Sequence, residues 1–291
     1  MYINDLYLPA HVYLHSDPDA PVLTKQNLSL ILKACLVSGY GSKAGAGWTM
    51  PYEDAAAGKR VFRPTIYGEL DNYLRIADGN AQAVVQSYET MSDVDNGEKV
   101  VELAQPYMYG KSKFSGRWAL VATERSFIMW TDGRYDSAAE SGGTILFYGD
   151  SGQSDDGSKC CVLAHSGGAY NDGSFASPFV SNGIYPTDIT DTRARNAASA
   201  YYPGQIAAEP LFVSLFGLGM AVSGEYTAPI YLRYADKLYS LPGVHTNTRP
   251  RNNLETVNDD GAAYLTMHAY GWANLKRYMA RVLVRSDKWR Y

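Results

Sequence analysis

From Trp48 onward the chain is built of short apolar runs, broken every few residues by Gly, Ser, Asn or Asp. Runs of this kind, rich in β-branched and aromatic residues, are typical of short strands. The pattern predicts strands at residues 61–63, 73–77, 83–88, 118–122, 127–130, 144–148, 211–216, 229–234, 237–241 and 277–285. Thr123 to Arg125 are expected to join two of these strands as a tight hairpin.

The best helical pattern covers residues 24–37. Leu28, Ile31, Leu32 and Cys35 recur there at helical spacing. Thr24 is expected to cap the start, and Gly39 to end the helix. The predicted fold class is therefore α+β and mainly β, with antiparallel sheets and one N-terminal helix packed on the sheet.

Three segments are expected along the chain. Residues 1–21 form an apolar arm with three prolines, docked either on its own domain or on a neighbouring copy. Residues 22–150 form a lobe of the helix and β-strands, and residues 151–291 a loop-rich β lobe. Small polar residues at 150–159 mark a linker or loop between the lobes. One continuous domain stays open as an alternative.

Tyrosine dominates the aromatic residues, with 24 tyrosines against 8 phenylalanines. A tyrosine combines an apolar ring with a hydroxyl, which suits protein interfaces. Charged residues make up 19% of the chain, below the usual quarter, as expected of a surface covered by a partner. The candidate interface residues are Tyr2, Leu6, Tyr7, Tyr13, Tyr170, Tyr185, Tyr201 and Tyr202.

Charge, hydropathy and cysteine content limit the kinds of partner and the compartment to be expected. The net charge is -4, so a nucleic-acid partner is not expected. The apolar run at 211–222 is too short for a membrane span, and the N-terminus lacks the pattern of a signal peptide. Cys35, Cys160 and Cys161 are interpreted as reduced thiols made in a cytoplasm, since adjacent residues on a strand point to opposite faces.

No motif predicts catalysis, a cofactor or a metal, and the chain is not expected to be an enzyme. The glycine-rich loop at 39–48 follows a helix, the wrong order for a phosphate-binding loop, and indicates a flexible or closely packed turn. Asp93 to Glu98 fail the EF-hand spacing. A Gly-x-Ser-x-Gly pentad is absent from the sequence, whereas a pair of glycosidase carboxylates stays open.

Exposed aromatic residues could also stack on sugars. The candidates are Trp48, Tyr52, Trp118, Trp130, Tyr170 and Tyr185. Trp118 and Trp130 are better interpreted as core residues, because their strands are apolar at both alternating positions.

The helix that runs into Gly39-Tyr40-Gly41 is followed by Trp48 and by the segment Lys59–Arg63. This series resembles a family of virion structural proteins of tailed bacteriophages, in which a helix ends in a Gly-Tyr-Gly loop before a Trp strand and a Lys/Arg-x-x-Phe/Tyr-Arg strand. Further similar blocks lie at 73–97, 118–130 and 228–244.

The resemblance implies a structural part of the virion, of the tail or tail tip above all, synthesised in the host cytoplasm. Its partners would be further copies of itself and other virion proteins, and it implies no catalytic residues. The alternatives are a carbohydrate- or host-receptor-binding module of the particle and, less favoured, a polysaccharide hydrolase.

Overall fold

A computed structural model of the chain describes residues 6–24, 26–65, 72–79, 83–103, 116–132, 144–152, 161–166, 198–202, 205–206, 227–234, 237–247, 253–259, 261–270 and 279–291. The structure is mainly β, with 56% strand, four antiparallel sheets and one short helical segment near them. The predicted fold class is confirmed. The predicted strand at 211–216 lies outside the described residues.

The strands are numbered in chain order. They are β1 (Tyr7–Pro9), β2 (His11–Leu14), β3 (Thr49–Asp54), β4 (Lys59–Arg63), β5 (Tyr73–Ala77), β6 (Val84–Met91), β7 (Gly97–Leu103), β8 (Trp118–Ala122), β9 (Ser126–Thr131), β10 (Thr144–Asp150), β11 (Cys161–Ser166), β12 (Ala198–Tyr202), β13 (Gln205–Ile206), β14 (Thr227–Tyr234), β15 (Lys237–Asn247), β16 (Thr256–Asp259), β17 (Ala262–Tyr270), β18 (Met279–Arg285) and β19 (Lys288–Arg290).

These strands form three larger sheets and a ribbon. The central sheet has the order β11-β10-β9-β8-β2, the N-terminal sheet β3-β4-β5-β6-β7, and the C-terminal sheet β13-β12-β14-β15-β18-β17-β16. The ribbon pairs β1 with β19. The predicted hairpin at Thr123 to Arg125 is confirmed, because β8 and β9 pair directly and Thr123 N–H donates to Ser126 O.

The central sheet is buried on both faces. Leu120 and Met129 are register partners and pack with the helix and the N-terminal sheet. Ile145 and Trp130 are register partners whose side chains join the C-terminal sheet and the ribbon in a second core. Because neighbouring residues of a strand point to opposite faces, a sheet between two cores needs strands that are apolar throughout. This explains the continuous apolar runs of β8, β9 and β10.

The helical segment is shorter and differently capped than predicted. It consists of an α-helix, α1 (Leu28–Leu32), and a π-helical turn at Lys33–Ser38. Thr24 is not its cap: the N-cap residue is Asn27, whose side chain accepts a hydrogen bond from Thr24 N–H. The first turn instead depends on Asp78, just after β5, whose carboxylate accepts the N–H of Ser29.

The end of the helix is as predicted. Gly39 follows the π-helical turn with φ 74°, and its N–H donates to Ala34 O. A Cβ at Gly39 would lie 2.2 Å from the carbonyl oxygen of Lys43. Both the backbone angle and the close approach therefore require glycine here.

Candidate interface

From Tyr7 onward, the N-terminal arm pairs with strands of its own chain, one of the two placements expected. Its first part, β1, pairs with β19 in the ribbon. Its second part, β2, pairs with β8 at the edge of the central sheet. Leu8 and Trp289 are register partners buried in the core, so the inner side of the ribbon holds the arm in place.

Two of the candidate interface residues are exposed at the ribbon, Tyr7 in β1 and Leu6 just before it. Leu6 is 36% exposed and Tyr7 46% exposed. The ammonium of Lys288 lies 5.2 Å from the centre of the Tyr7 ring, and Arg290, the register partner of Tyr7, is exposed. We call these four residues the ribbon patch. An apolar ring beside basic side chains is a combination common at protein interfaces.

The other candidates are placed differently. Tyr13 is 1% exposed, and its hydroxyl donates to Ala44 O at 2.7 Å, so its ring belongs to the core and does not face a partner. Tyr201 and Tyr202 end β12, where Tyr201 is paired with Ile206. Tyr2, Tyr170 and Tyr185 lie outside the described residues.

Asp17 is the centre of a polar cluster between the arm and the glycine-rich loop. Its Oδ2 accepts hydrogen bonds from Lys43 Nζ at 2.6 Å, from the Tyr40 hydroxyl at 2.7 Å and from Leu14 N–H at 2.7 Å. Lys43 Nζ also donates to Val12 O at 2.7 Å. One carboxylate thus ties the loop to the strand β2.

The electrostatics follow from these contacts. Burial opposes ionisation of Asp17, but the hydrogen bonds from Lys43, Leu14 and Tyr40 outweigh it and hold the pKa of this carboxyl below its ordinary value. The Cys35 thiol lies in the core that also holds Tyr13, and burial raises its pKa well above the ordinary value. Cys35 is therefore a poor nucleophile at neutral pH.

The glycine-rich loop is a closely packed turn, one of the two forms expected. Its lysine, the residue that would reach a phosphate in a phosphate-binding loop, has its ammonium on Asp17 and Val12. A Cβ at Gly45 would lie 2.4 Å from the carbonyl oxygen of Val37. Trp48 then leaves the loop and donates through Nε1 to Thr123 O at 2.7 Å.

Three of the aromatic residues considered for sugar stacking are buried. Trp48 packs against Phe127 and Tyr148, with ring centres 5.6 and 6.1 Å away. Trp118 and Trp130 are fully buried, as their strand pattern predicted. Tyr52 is half-buried, and its hydroxyl donates to Met91 O. The three buried tryptophan rings stabilise the fold and offer no stacking surface.

Two polar networks were not predicted from the sequence. In the N-terminal sheet, Arg75 is buried and donates to Gln86 Oε1, Val94 O and Asp95 Oδ1 at 2.6 to 2.7 Å. Near α1, Arg60 donates to Glu53 and to the buried Ser29. Each ties elements that are distant in sequence, so local periodicity carries no signal for it.

Several carboxylates of the described residues are used inside the fold. Asp93 accepts the N–H groups of Asp95 and Asn96 and so shapes its own turn. No group of three or more His, Cys, Asp or Glu side chains in the described ranges is placed to hold a metal ion. Cys35 and Cys161 are buried thiols, and Cys160 lies outside the described part.

Comparison with models of known protein families found no match, and comparison with curated proteins found none either. Among the described residues, no helix is long and apolar enough to cross a membrane.

Proposed function

We propose that this protein is a structural component of a tailed-phage virion, of the tail or tail tip above all, and that it acts by binding copies of itself and neighbouring virion proteins. The resemblance of the Gly39 to Trp48 segment and of Lys59–Arg63 to virion structural proteins supports the assignment to a phage particle. The structure supplies a surface suited to association. Both supports are independent of any catalytic chemistry.

The observation that carries the proposal is the ribbon patch. Tyr7 is exposed on a ribbon whose opposite side is fixed in the core by Leu8 and Trp289, and Leu6 is exposed just before it. A rigidly held aromatic residue loses little conformational entropy when a partner covers it, which favours it as an anchor. Stable interfaces bury roughly 800 Å² on each partner, so the patch would form the centre of a larger contact.

Light scattering on the purified full chain over a wide concentration series tests the proposal. We expect the wild type to form oligomers, and the double variant Leu6→Ser and Tyr7→Ser to shift to a lower mass without loss of fold. Val22→Ser is the matched control, because Val22 is 72% exposed and lies outside the ribbon patch. A monomeric wild type at every concentration, or a double variant as large as the wild type, would contradict the proposal.

Two further assays separate the alternatives. Binding of a monomer to a glycan array would favour the carbohydrate- or receptor-binding module. Release of reducing sugars from bacterial polysaccharide would favour the hydrolase. The burial of Trp48, Trp118 and Trp130 removes half of the residues considered for sugar stacking, so we expect both assays to be negative.

A further inference from the structure

The strand β2 lies at the edge of the central sheet, yet contacts from outside the sheet close its outer side. An unpaired edge is a template for a strand of another molecule, and proteins block such edges with lysines, charged residues or covering loops. The central sheet ends in β2 on this side, next to β8. A second strand would pair with the outward hydrogen-bonding positions of β2.

The hydrogen-bond pattern identifies those positions. His15 N–H donates to Trp118 O at 3.0 Å, which continues the pairing of β2 with β8. Because backbone groups of alternate residues point to alternate sides of a strand, the N–H and C=O groups of Val12 and Leu14 point away from β8.

Three of these outward groups have partners. Lys43 Nζ donates to Val12 O, Leu14 N–H donates to Asp17 Oδ2, and Asp17 N–H donates to Leu14 O at 3.0 Å. The Lys43 and Asp17 side chains are bonded to each other at 2.6 Å. The ion pair therefore occupies two of the places that an added strand would use, and the backbone N–H of Asp17 occupies a third.

The same side of the arm is closed further up by the ribbon. Ala10 N–H donates to Asp287 O and Tyr291 N–H donates to Leu6 O, both at 2.9 Å. Main-chain pairing thus covers the arm as far as Ala10, and beyond it the Lys43 and Asp17 side chains cover Val12 O and Leu14 N–H, while the Asp17 backbone N–H covers Leu14 O. Side chains are the weaker closure, since Lys43 and Asp17 are 35% and 14% exposed and can exchange with solvent.

We propose that the glycine-rich loop at 39–47 and Asp17 form an edge guard, which prevents β2 of a second copy from adding to β2. Two copies related by a two-fold axis at Tyr13 would bring Val12 of one opposite Leu14 of the other. All the outward backbone groups would then find partners in an antiparallel pair. The guarded strand is self-complementary, so a second copy is the occupant that the geometry favours.

The shape of the loop fits this role. Tyr40 and Lys43 both reach Asp17, and Ala44 O accepts the hydroxyl of Tyr13 in the middle of β2. The close packing of Gly39 and Gly45 fixes the loop over the strand. The inference holds for any role of the protein and does not rest on the proposed virion function.

The test compares self-association of the wild type with that of the double variant Asp17→Ala and Lys43→Met. Lys59→Met is the control. Lys59 lies in the interior strand β4 and pairs with Asp95, so its substitution breaks an ion pair and leaves every sheet edge unchanged. By light scattering, the double variant should self-associate about tenfold more tightly than the wild type or the control, a gain of about 1.4 kcal/mol.

Hydrogen exchange locates the new contact. In the associated fraction, the amides of Val12 and Leu14 should be protected, and a peptide spanning residues 10–15 should compete for the site. Lys43→Met alone, which leaves Asp17 on Leu14, should give an intermediate effect if the double variant proves unstable. A folded variant that associates no more tightly than the control, or that associates without protection of these amides, would overturn the inference.

This outcome is distinct from that of the proposed function. A wild type that fails to assemble would count against the structural role, whereas the guard is judged only by the difference between the variants and the wild type.

Discussion

Gly39 and Gly261 offer a comparison for measuring what the glycine-rich loop contributes to stability. Their φ angles are 74° and 73°, both in the region that favours glycine, but Gly39 also has ψ 176°, a combination that is essentially restricted to glycine. Their surroundings differ. A Cβ at Gly39 would lie 2.2 Å from Lys43 O, whereas a Cβ at Gly261 would meet no atom within 4 Å.

The expected magnitudes follow from this difference. A left-handed alanine costs roughly 1–2 kcal/mol, and this is the whole effect expected for Gly261→Ala. Gly39→Ala must also displace the Lys43 carbonyl and with it the two backbone hydrogen bonds that join Tyr40 to Lys43. With about 1–3 kcal/mol for the backbone conformation of Gly39 and about 0.5–1.5 kcal/mol for each bond, the total for Gly39→Ala is about 2–6 kcal/mol.

Urea denaturation measures both variants against the wild type. Both should keep the wild-type dependence of free energy on denaturant, with Gly39→Ala having the clearly lower midpoint. Equal losses of stability for the two variants, to within about 0.5 kcal/mol, would refute the claim that the loop carbonyl is fixed by close packing.

Two further predictions concern buried polar groups. His245 is mostly buried, and its Nδ1 has no hydrogen-bond partner among the described residues. Burial lowers the pKa of this imidazole to about 4, below the ordinary value of 6.5. The contribution of neutral His245 to the free energy of unfolding should therefore be complete above pH 6.5 and fall by up to about 3 kcal/mol as the pH drops to about 4. His245→Leu should flatten thermal stability over this pH range, and an unchanged pH profile would contradict the assignment. Asp78→Ala removes the acceptor of Ser29 N–H at the start of α1 and should cost about 2–3 kcal/mol in urea denaturation. The exposed Glu89→Ala in β6 is its control and should change stability by less than about 0.5 kcal/mol, so equal effects of the two would exclude the capping role.

The sequence predicts the central strands well because their pattern reflects their surroundings directly. Residues 118–122 are apolar at every position, and the structure buries all of them between two cores. The strand β3 was not predicted, because Pro51 and two acidic residues interrupt it. It forms at the edge of its sheet with a bulge between Thr49 and Tyr52, where a missing N–H is tolerated.

The helix shows where local pattern fails. Helical spacing located the segment, but its first turn depends on Asp78, which lies 49 residues from Ser29. The widening to a π-helical turn brings Gly39 against the loop carbonyl of Lys43. Both features come from contacts between distant parts of the chain, which periodicity does not report.

The tyrosines show the same limit at the candidate interface. Tyr7 and Tyr13 lie on the same side of the arm by strand alternation, and no property of the sequence separates them. The structure covers Tyr13 with Tyr40, at 5.9 Å between ring centres, and leaves Tyr7 exposed beyond this cover. A tyrosine in an amphipathic strand joins the core where another part of the chain covers its ring, and is open to a partner where its ring stays exposed.

The glycine-rich loop shows how the fold decides between two meanings of one motif. Glycines beside a lysine fit a phosphate site if the ammonium is available, and a packed turn if a carboxylate holds it. Asp17, 26 residues away in a proline-rich arm, holds it here, and the same contact closes the edge of β2. The residue that decides the chemistry of this motif is thus outside it, since a lone aspartate has no periodicity and acquires its role only when arm and loop meet.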